Sequence, residues 1–133
     1  MHLRQIGLLV AATALCVTTQ AAAPARCLTD ATPRIGIVSP FGAEADLLAE
    51  QTQSRRTHVI NGKRFTTGVL RGNPVVIVLS GVSMINSALV TQPMLDHFRV
   101  ERLVMSGIAG GVDPANHMGD VSVPDRSTRT KRR

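Results

Sequence analysis

Three short segments hold the residues whose types and spacing could do chemistry: 39–44 (SPFGAE), 80–83 (SGVS) and 106–112 (SGIAGGV). Each is rich in Gly, Ser or Ala. Small side chains let a ligand approach the main chain, where backbone N–H groups and hydroxyls can hydrogen-bond it. The first segment ends on a carboxylate, Glu44, which also fits the first turn of a helix, where the macrodipole favours negative charge. Taken singly, each segment is more often an ordinary strand-to-helix turn. Other chemistries find no support. The Gly107 to Gly111 stretch lacks the GxGxxG spacing of a dinucleotide site, so NAD is not expected. His2, His58, His97 and His117 show no ligand spacing, and Cys16 and Cys27 are too few for a zinc site or a disulfide framework. No metal or other cofactor is assigned.

The elements flanking these segments follow from hydrophobic patterning. Ile35 to Ser39 is short, β-branched and apolar and is closed by Pro40 and Gly42, as a buried central strand would be. Ala43 to Gln51 reads as a helix, with Glu44 and Asp46 early in it. Asn61-Gly62 is a strong signal for a tight hairpin between extended segments at 58–60 and 64–70, because both residues tolerate positive φ. Pro74 to Leu79 is a second buried strand. Ser83 can cap a helix carrying Ile85, Ala88, Leu89, Leu95 and Phe98, which Pro93 is expected to kink or interrupt. Arg102 to Ser106 is a further strand, and Asp120 to Val123 a sixth extended segment. This order predicts an α/β fold with a mixed central sheet and flanking helices. In such sheets ligands bind beyond the carboxyl ends of the strands, and all three segments follow strands.

The composition narrows the class. The chain has 133 residues, 44% hydrophobic and 18% charged, which excludes a disordered chain, a disulfide-rich miniprotein and a multi-span membrane protein. Aromatics are three phenylalanines (Phe41, Phe65 and Phe98), so Val, Ile, Leu, Met and Ala must fill most of the core. The net charge of +6 is concentrated at the end, in Arg126, Arg129, Lys131, Arg132 and Arg133, while cations and carboxylates balance between Arg26 and Asp125. A basic tail without aromatics to stack on bases does not predict specific nucleic-acid recognition. Residues 1–25 have the layout of a secretory signal peptide: a cationic start at Arg4, an apolar run from Ile6 to Val17 and small residues at 21–25. The run is too short for a stable anchor. The expectation is an exported protein, periplasmic or secreted, not held in a membrane after cleavage.

In order along the chain, IGIVSPFGAEADLL (35–48), LSGVSMINSAL (79–89) and VMSGIAGGVDPANHMGDVSVPD (104–125) resemble the nucleoside phosphorylase superfamily, specifically its methylthioadenosine/S-adenosylhomocysteine nucleosidase branch. The resemblance implies a nucleoside phosphorylase-like fold and cleavage of the N-glycosidic bond of a purine nucleoside. Glu44 falls where the nucleosidases keep the carboxylate that positions and activates the attacking water. Such a group gives general-base help and stabilises an oxocarbenium-like transition state. Phe41 and Val82 fall where apolar residues line the sugar and its 5′ substituent, and Ala109 and Gly110 match the backbone beside the purine and ribose. Phosphorolytic members carry an arginine after the first strand; here Gly42-Ala43-Glu44 stands instead, which favours water as nucleophile. Ile108 departs from the small hydroxyl residue usual in that loop and leaves the particular nucleoside open.

The resemblance spans residues 34–126 and matches the N-terminal half of the family domain. The family's second half supplies a purine-stacking aromatic, the pair that holds the ribose hydroxyls and the aspartate that protonates the leaving base, and none has a counterpart here. Residues 127–133 read as a basic disordered tail, as after a frameshift. The expectation is a chain inactive or nearly so and poorly soluble, with homo-oligomers formed by full-length members. A purine nucleoside phosphorylase, a nucleoside-binding protein without catalysis and a basic-tailed adhesive protein are the alternatives.

Overall fold

A computed structural model describes residues 28–124. The expected signal peptide and basic tail lie outside the described residues. Five strands and two helices follow in the order β1 (Asp30–Ser39), α1 (Gly42–Glu50), β2 (Gln53–Ile60), β3 (Lys63–Leu70), β4 (Asn73–Leu79), α2 (Met84–His97) and β5 (Phe98–Met105). They form one mixed sheet, as the sequence predicts, in the spatial order β2-β3-β4-β1-β5. β1 runs parallel to both β4 and β5, while β2, β3 and β4 form an antiparallel meander. Among the described residues no helix is long and apolar enough to cross a membrane.

Alternation along β1 sends successive side chains to opposite faces. Val38 joins Phe65, Val76, Val78, Val90, Met94 and Phe98 on the α2 side. Ile37 joins Val75 and Ile77 on the other side, beneath Leu48 of α1. Although aromatics are few, Phe65 and Phe98 are the largest fully buried side chains. Their ring centroids lie 5.7 Å apart, and the His58 ring meets Phe98 edge-on at 5.4 Å. Gly36 admits α2 closely: a Cβ there would lie 2.7 Å from Met94 Sδ.

Several local expectations need correction. β1 begins at Asp30, five residues before the apolar run, because a clip unseen in the apolar pattern holds its polar start. Arg34 reaches back to the Asp30 carboxylate with Nε (3.0 Å) and Nη2, and its Nη1 donates to the carbonyls of Gly68 and Val75, each at 3.2 Å. Gly68 and Val75 are themselves a β3–β4 register pair, so Arg34 joins three strands. Burial raises the Asp30 pKa, but hydrogen bonds from Thr32 and then Arg34, with the Arg34 charge, outweigh it and hold it at about 2.

Phe98 opens β5 instead of closing the helix, which passes directly into the strand without a loop. α2 is assigned unbroken through Pro93. The Ser83 hydroxyl accepts from Asn86 N at 3.2 Å, as a capping residue should. Asn61 and Gly62 have φ of 50° and 72°, the left-handed pair of a tight hairpin. Arg71-Gly72, with φ of 47° and 81°, makes a second such turn that the sequence reading did not single out. The sixth extended segment, Asp120 to Val123, forms no strand. Val121 and Val123 are solvent-exposed, and among the described residues no neighbour supplies the ladder hydrogen bonds a strand requires.

Candidate active site

Parallel pairing decides where the three segments go. Register partners Ser39↔Leu79 and Val38↔Met105 put the carboxyl ends of β1, β4 and β5 on one edge of the sheet. Backbone hydrogen bonds continue the ladder one step past the strands: Ser80 N donates to Ser39 O at 2.9 Å, and Ser106 N to Val38 O at 3.0 Å. Segments 39–44, 80–83 and 106–112 therefore leave from a common rim.

Glu44 stands in the first turn of α1 and makes no capping bond there. Its Oε2 instead accepts from Ser39 Oγ at 3.1 Å, and the same hydroxyl lies 3.4 Å from Phe41 O. Ser39 is fully buried, so this donor is fixed by packing. Across the rim stands Gly107. A Cβ built on it would lie 2.8 Å from Pro40 Cγ, 3.0 Å from Pro40 Cδ and 3.6 Å from Glu44 Oε2. The first and third segments are thus in contact, and glycine is what permits it. Ser80, buried at the end of β4, places its Oγ within hydrogen-bond reach of Gly81 O (2.8 Å) and Ser39 O (3.3 Å).

The other residues singled out from sequence are placed less tightly. Phe41 is the N-cap residue of α1, in extended conformation and 38% exposed. Val82 precedes α2 and is 64% exposed; its carbonyl accepts from Asn86 Nδ2 at 2.8 Å. Both lie on segments that meet at the rim, as apolar walls beside an opening would. Ala109 and Gly110 lie in an exposed stretch beyond Gly107. No hydrogen bond ties them to Glu44, and a Cβ at Gly110 would meet nothing within 4 Å. Ser39 and Gly107 were not singled out by sequence reasoning. Their signal was available, because each ends or follows a β-strand facing the parallel neighbour, but a strand-end serine or glycine alone does not name its partner.

Chemically, the rim offers a half-buried carboxylate held by a buried hydroxyl, next to exposed main chain and two apolar side chains. That set can orient a water and stabilise positive charge developing on a bound ligand. Among the described residues no three His, Cys, Asp or Glu side chains gather as a metal site.

Comparison with known proteins fixes the lineage. The sequence pattern of the phosphorylase superfamily matches residues 34–133. The chain belongs to the phosphorylase superfamily. Within it, the chain is similar to the 5′-methylthioadenosine/S-adenosylhomocysteine nucleosidase of Listeria monocytogenes serotype 4b (strain CLIP80459), 37% identical over 92 residues, covering 69% of this chain and 40% of that protein. The corresponding nucleosidase of Pseudoalteromonas translucida is 35% identical over 89 residues, covering 67% and 38%. Among solved structures, the nucleosidase of Colwellia psychrerythraea 34H in complex with adenine superposes with a TM-score of 0.63 at 34% identity, covering 65% of this chain and 36% of that one. The Streptococcus pneumoniae nucleosidase with a transition-state inhibitor gives 0.63 at 31%, covering 65% and 38%. The α/β fold is that of these superfamily structures. The chain spans about 40% of the length of the curated relatives it matches.

Proposed function

We propose that this chain carries the water-activating part of a purine nucleosidase site, with Glu44 as the residue that orients and deprotonates the nucleophile. The observation that carries the reading is the Glu44 carboxylate, held by buried Ser39 at 3.1 Å and facing Gly107 across a rim shared by three strand ends. The similarity to nucleosidases supports a purine nucleoside, such as methylthioadenosine or S-adenosylhomocysteine, as the substrate class. In this reading Phe41 and Val82 line the sugar and its 5′ substituent, and Ala109 and Gly110 offer main chain to the purine and ribose.

N-glycosidic hydrolysis also needs a proton on the departing base. A general acid contributes about 10²- to 10⁴-fold in rate. Within residues 34–126 no residue is assigned that role, so the isolated chain is proposed to be inactive or nearly so. Incubation with methylthioadenosine should release adenine at no more than the uncatalysed rate; release well above it would overturn this point. Glu44 is tested separately in a chimera joining residues 34–126 to the remaining C-terminal portion of the Listeria nucleosidase. The chimera should release adenine, and Glu44→Gln should slow release by about 10²-fold or more. A folded, active chimera indifferent to Glu44→Gln would refute the assignment.

We further propose that residues 1–25 direct export and are removed. The supporting pattern is the cationic start, the apolar run and the small residues before Arg26. A pulse-chase should show the precursor shortening as it leaves the cytoplasm; a chain that stays full length would count against it.

A further inference from the structure

α1 is short and packs mainly over β4 and β1 on its side of the sheet, leaving a groove between it and the β2–β3 hairpin. The result is a cavity of about 570 Å³ between α1 and the hairpin, within the size range of small-molecule sites. Its lining is unlike the rest of the molecule's balanced surface. Arg55, Lys63 and Arg64 contribute three cations and Asp46 a single carboxylate. Thr57 and Thr66, directly opposite each other in the hairpin register, bring two hydroxyls to the wall between them.

The hairpin geometry produces this clustering. Strand alternation sends Phe65 into the α2-side core, so Arg64 and Thr66 face α1. Lys63, paired with Ile60 at the end of the hairpin, lies on the Phe65 face by the same alternation and lines the cavity only at its mouth, next to the left-handed Asn61-Gly62 turn. Near the other end, Ser54 with φ of 51° interrupts the β2 register and sets Arg55 at the cavity, where Nη1 donates to Ala49 O at 3.2 Å. Among the described residues neither Lys63 nor Arg64 forms an ion pair, and Asp46 forms none either. Arg55 and Arg64 in the concave surface, with Lys63 at its mouth, repel one another, and a bound anion relieves that repulsion.

The geometry points to this groove as a binding site for a small oxyanion, a phosphate or a carboxylate group, held by Arg55, Lys63 and Arg64 with hydroxyl help from Thr57 and Thr66. The site is separate from Glu44, which does not line it, and does not depend on glycosidic chemistry. It does abut the rim, because Ser80 and Gly81 belong both to its wall and to the second of the three segments. An oxyanion here could therefore arrive free or as part of a nucleotide whose base lies toward the rim.

The test is direct binding by calorimetry on the full chain at low salt, with inorganic pyrophosphate, adenosine 5′-monophosphate and adenosine as probes. Pyrophosphate should bind, and affinity should fall as salt rises. Lys63→Glu/Arg64→Glu should weaken it by about tenfold or more, while Asp46→Asn should tighten it by a few-fold. Lys63 and Arg64 are exposed, so folding should be unaffected; Lys63→Gln/Arg64→Gln, read by the same titration and by circular dichroism, covers the case where charge reversal disturbs it. Tighter binding of the monophosphate than of pyrophosphate, with none of adenosine, supports the site with a nucleotide as source. Equal or weaker binding of the monophosphate supports it with a free oxyanion as source. No pyrophosphate binding, or binding equal in the folded double variants and the parent, would overturn it.

Discussion

Replacing Arg34 by Met keeps a long apolar stem but removes the side-chain bonds that tie Asp30 and the start of β1 to β3 and β4, while the backbone pairing with β5 remains. The guanidinium makes two bonds to Asp30 and one each to the carbonyls of Gly68 and Val75, with the two side chains only 12% and 21% exposed. Hydrogen bonds to charged groups contribute about 1.5–3 kcal/mol, and leaving a largely buried carboxylate without its partner adds a desolvation penalty. Arg34→Met should therefore cost about 3 kcal/mol at pH 7, or a fall in Tm of about 12–20 °C for a domain of this size. Acid adds a second signature. The folded Asp30 pKa is lowered from 3.8 to about 2, so its contribution is fully present above about pH 4 and is lost as pH falls through 2. That shift corresponds to at most about 2 kcal/mol of pH-dependent stability, less what solvent screening at this half-open site removes. In the variant the Thr32 bonds remain while the Arg34 bond and charge are gone, so stability should change less between pH 4 and 2 than in the parent. Urea titrations of both chains at several pH values measure this, and subtracting one curve from the other removes the carboxylates they share. A loss below about 1 kcal/mol at pH 7, or parallel pH curves, would refute the clip.

Gly68→Ala would drive a Cβ into Thr52 Cγ2 and to 2.5 Å from Gln53 O, and should cost about 2–3 kcal/mol by urea titration. Gly42→Ala, with nothing within 4 Å at a helix start, should be neutral or stabilising by up to about 1 kcal/mol. Gly107→Ala should lower Tm measurably by forcing its loop off Pro40, whereas Gly110→Ala should not; equal effects would mean the first and third segments are not in contact. Phe98→Ala should cost about 3–5 kcal/mol, since the ring is buried against Phe65 and Met94.

How far the sequence could be read depended on whether a feature was local. The run from Ile35 to Ser39, the Asn61-Gly62 turn and the Ser83 cap each carry their cause within a few residues, and each appears where expected. The Asp30 to Arg34 extension does not, because its polar residues become strand only through Arg34 and through pairing with β5. Phe98 fits a helical spacing equally well as the first residue of a strand, and burial against Phe65 decides between them. Val121 and Val123 have the β-branched, alternating look of a strand, but among the described residues no neighbour pairs with them. At the site, the shared rim was legible from three strand ends in a mixed sheet. The Ser39 to Glu44 bond and the Gly107 contact were not, because both depend on which strands become neighbours. The hairpin cations were overlooked for a related reason: only the antiparallel register brings Lys63 and Arg64 alongside Ser80 and Gly81.

The two left-handed turns have a consequence for the order in which the sheet is assembled. β2, β3 and β4 are joined by two-residue connections, so their pairings close short loops and can form early, whereas Ile35 must find both Val75 and Arg102 across long stretches of chain. The oxyanion groove would thus acquire its hairpin wall before Glu44 and Gly107 ever meet. Pulse-labelled amides of Thr66 and Val76 should be protected ahead of those of Ser80 and Ser106, making the rim that carries Glu44 the last-zipped seam of the molecule.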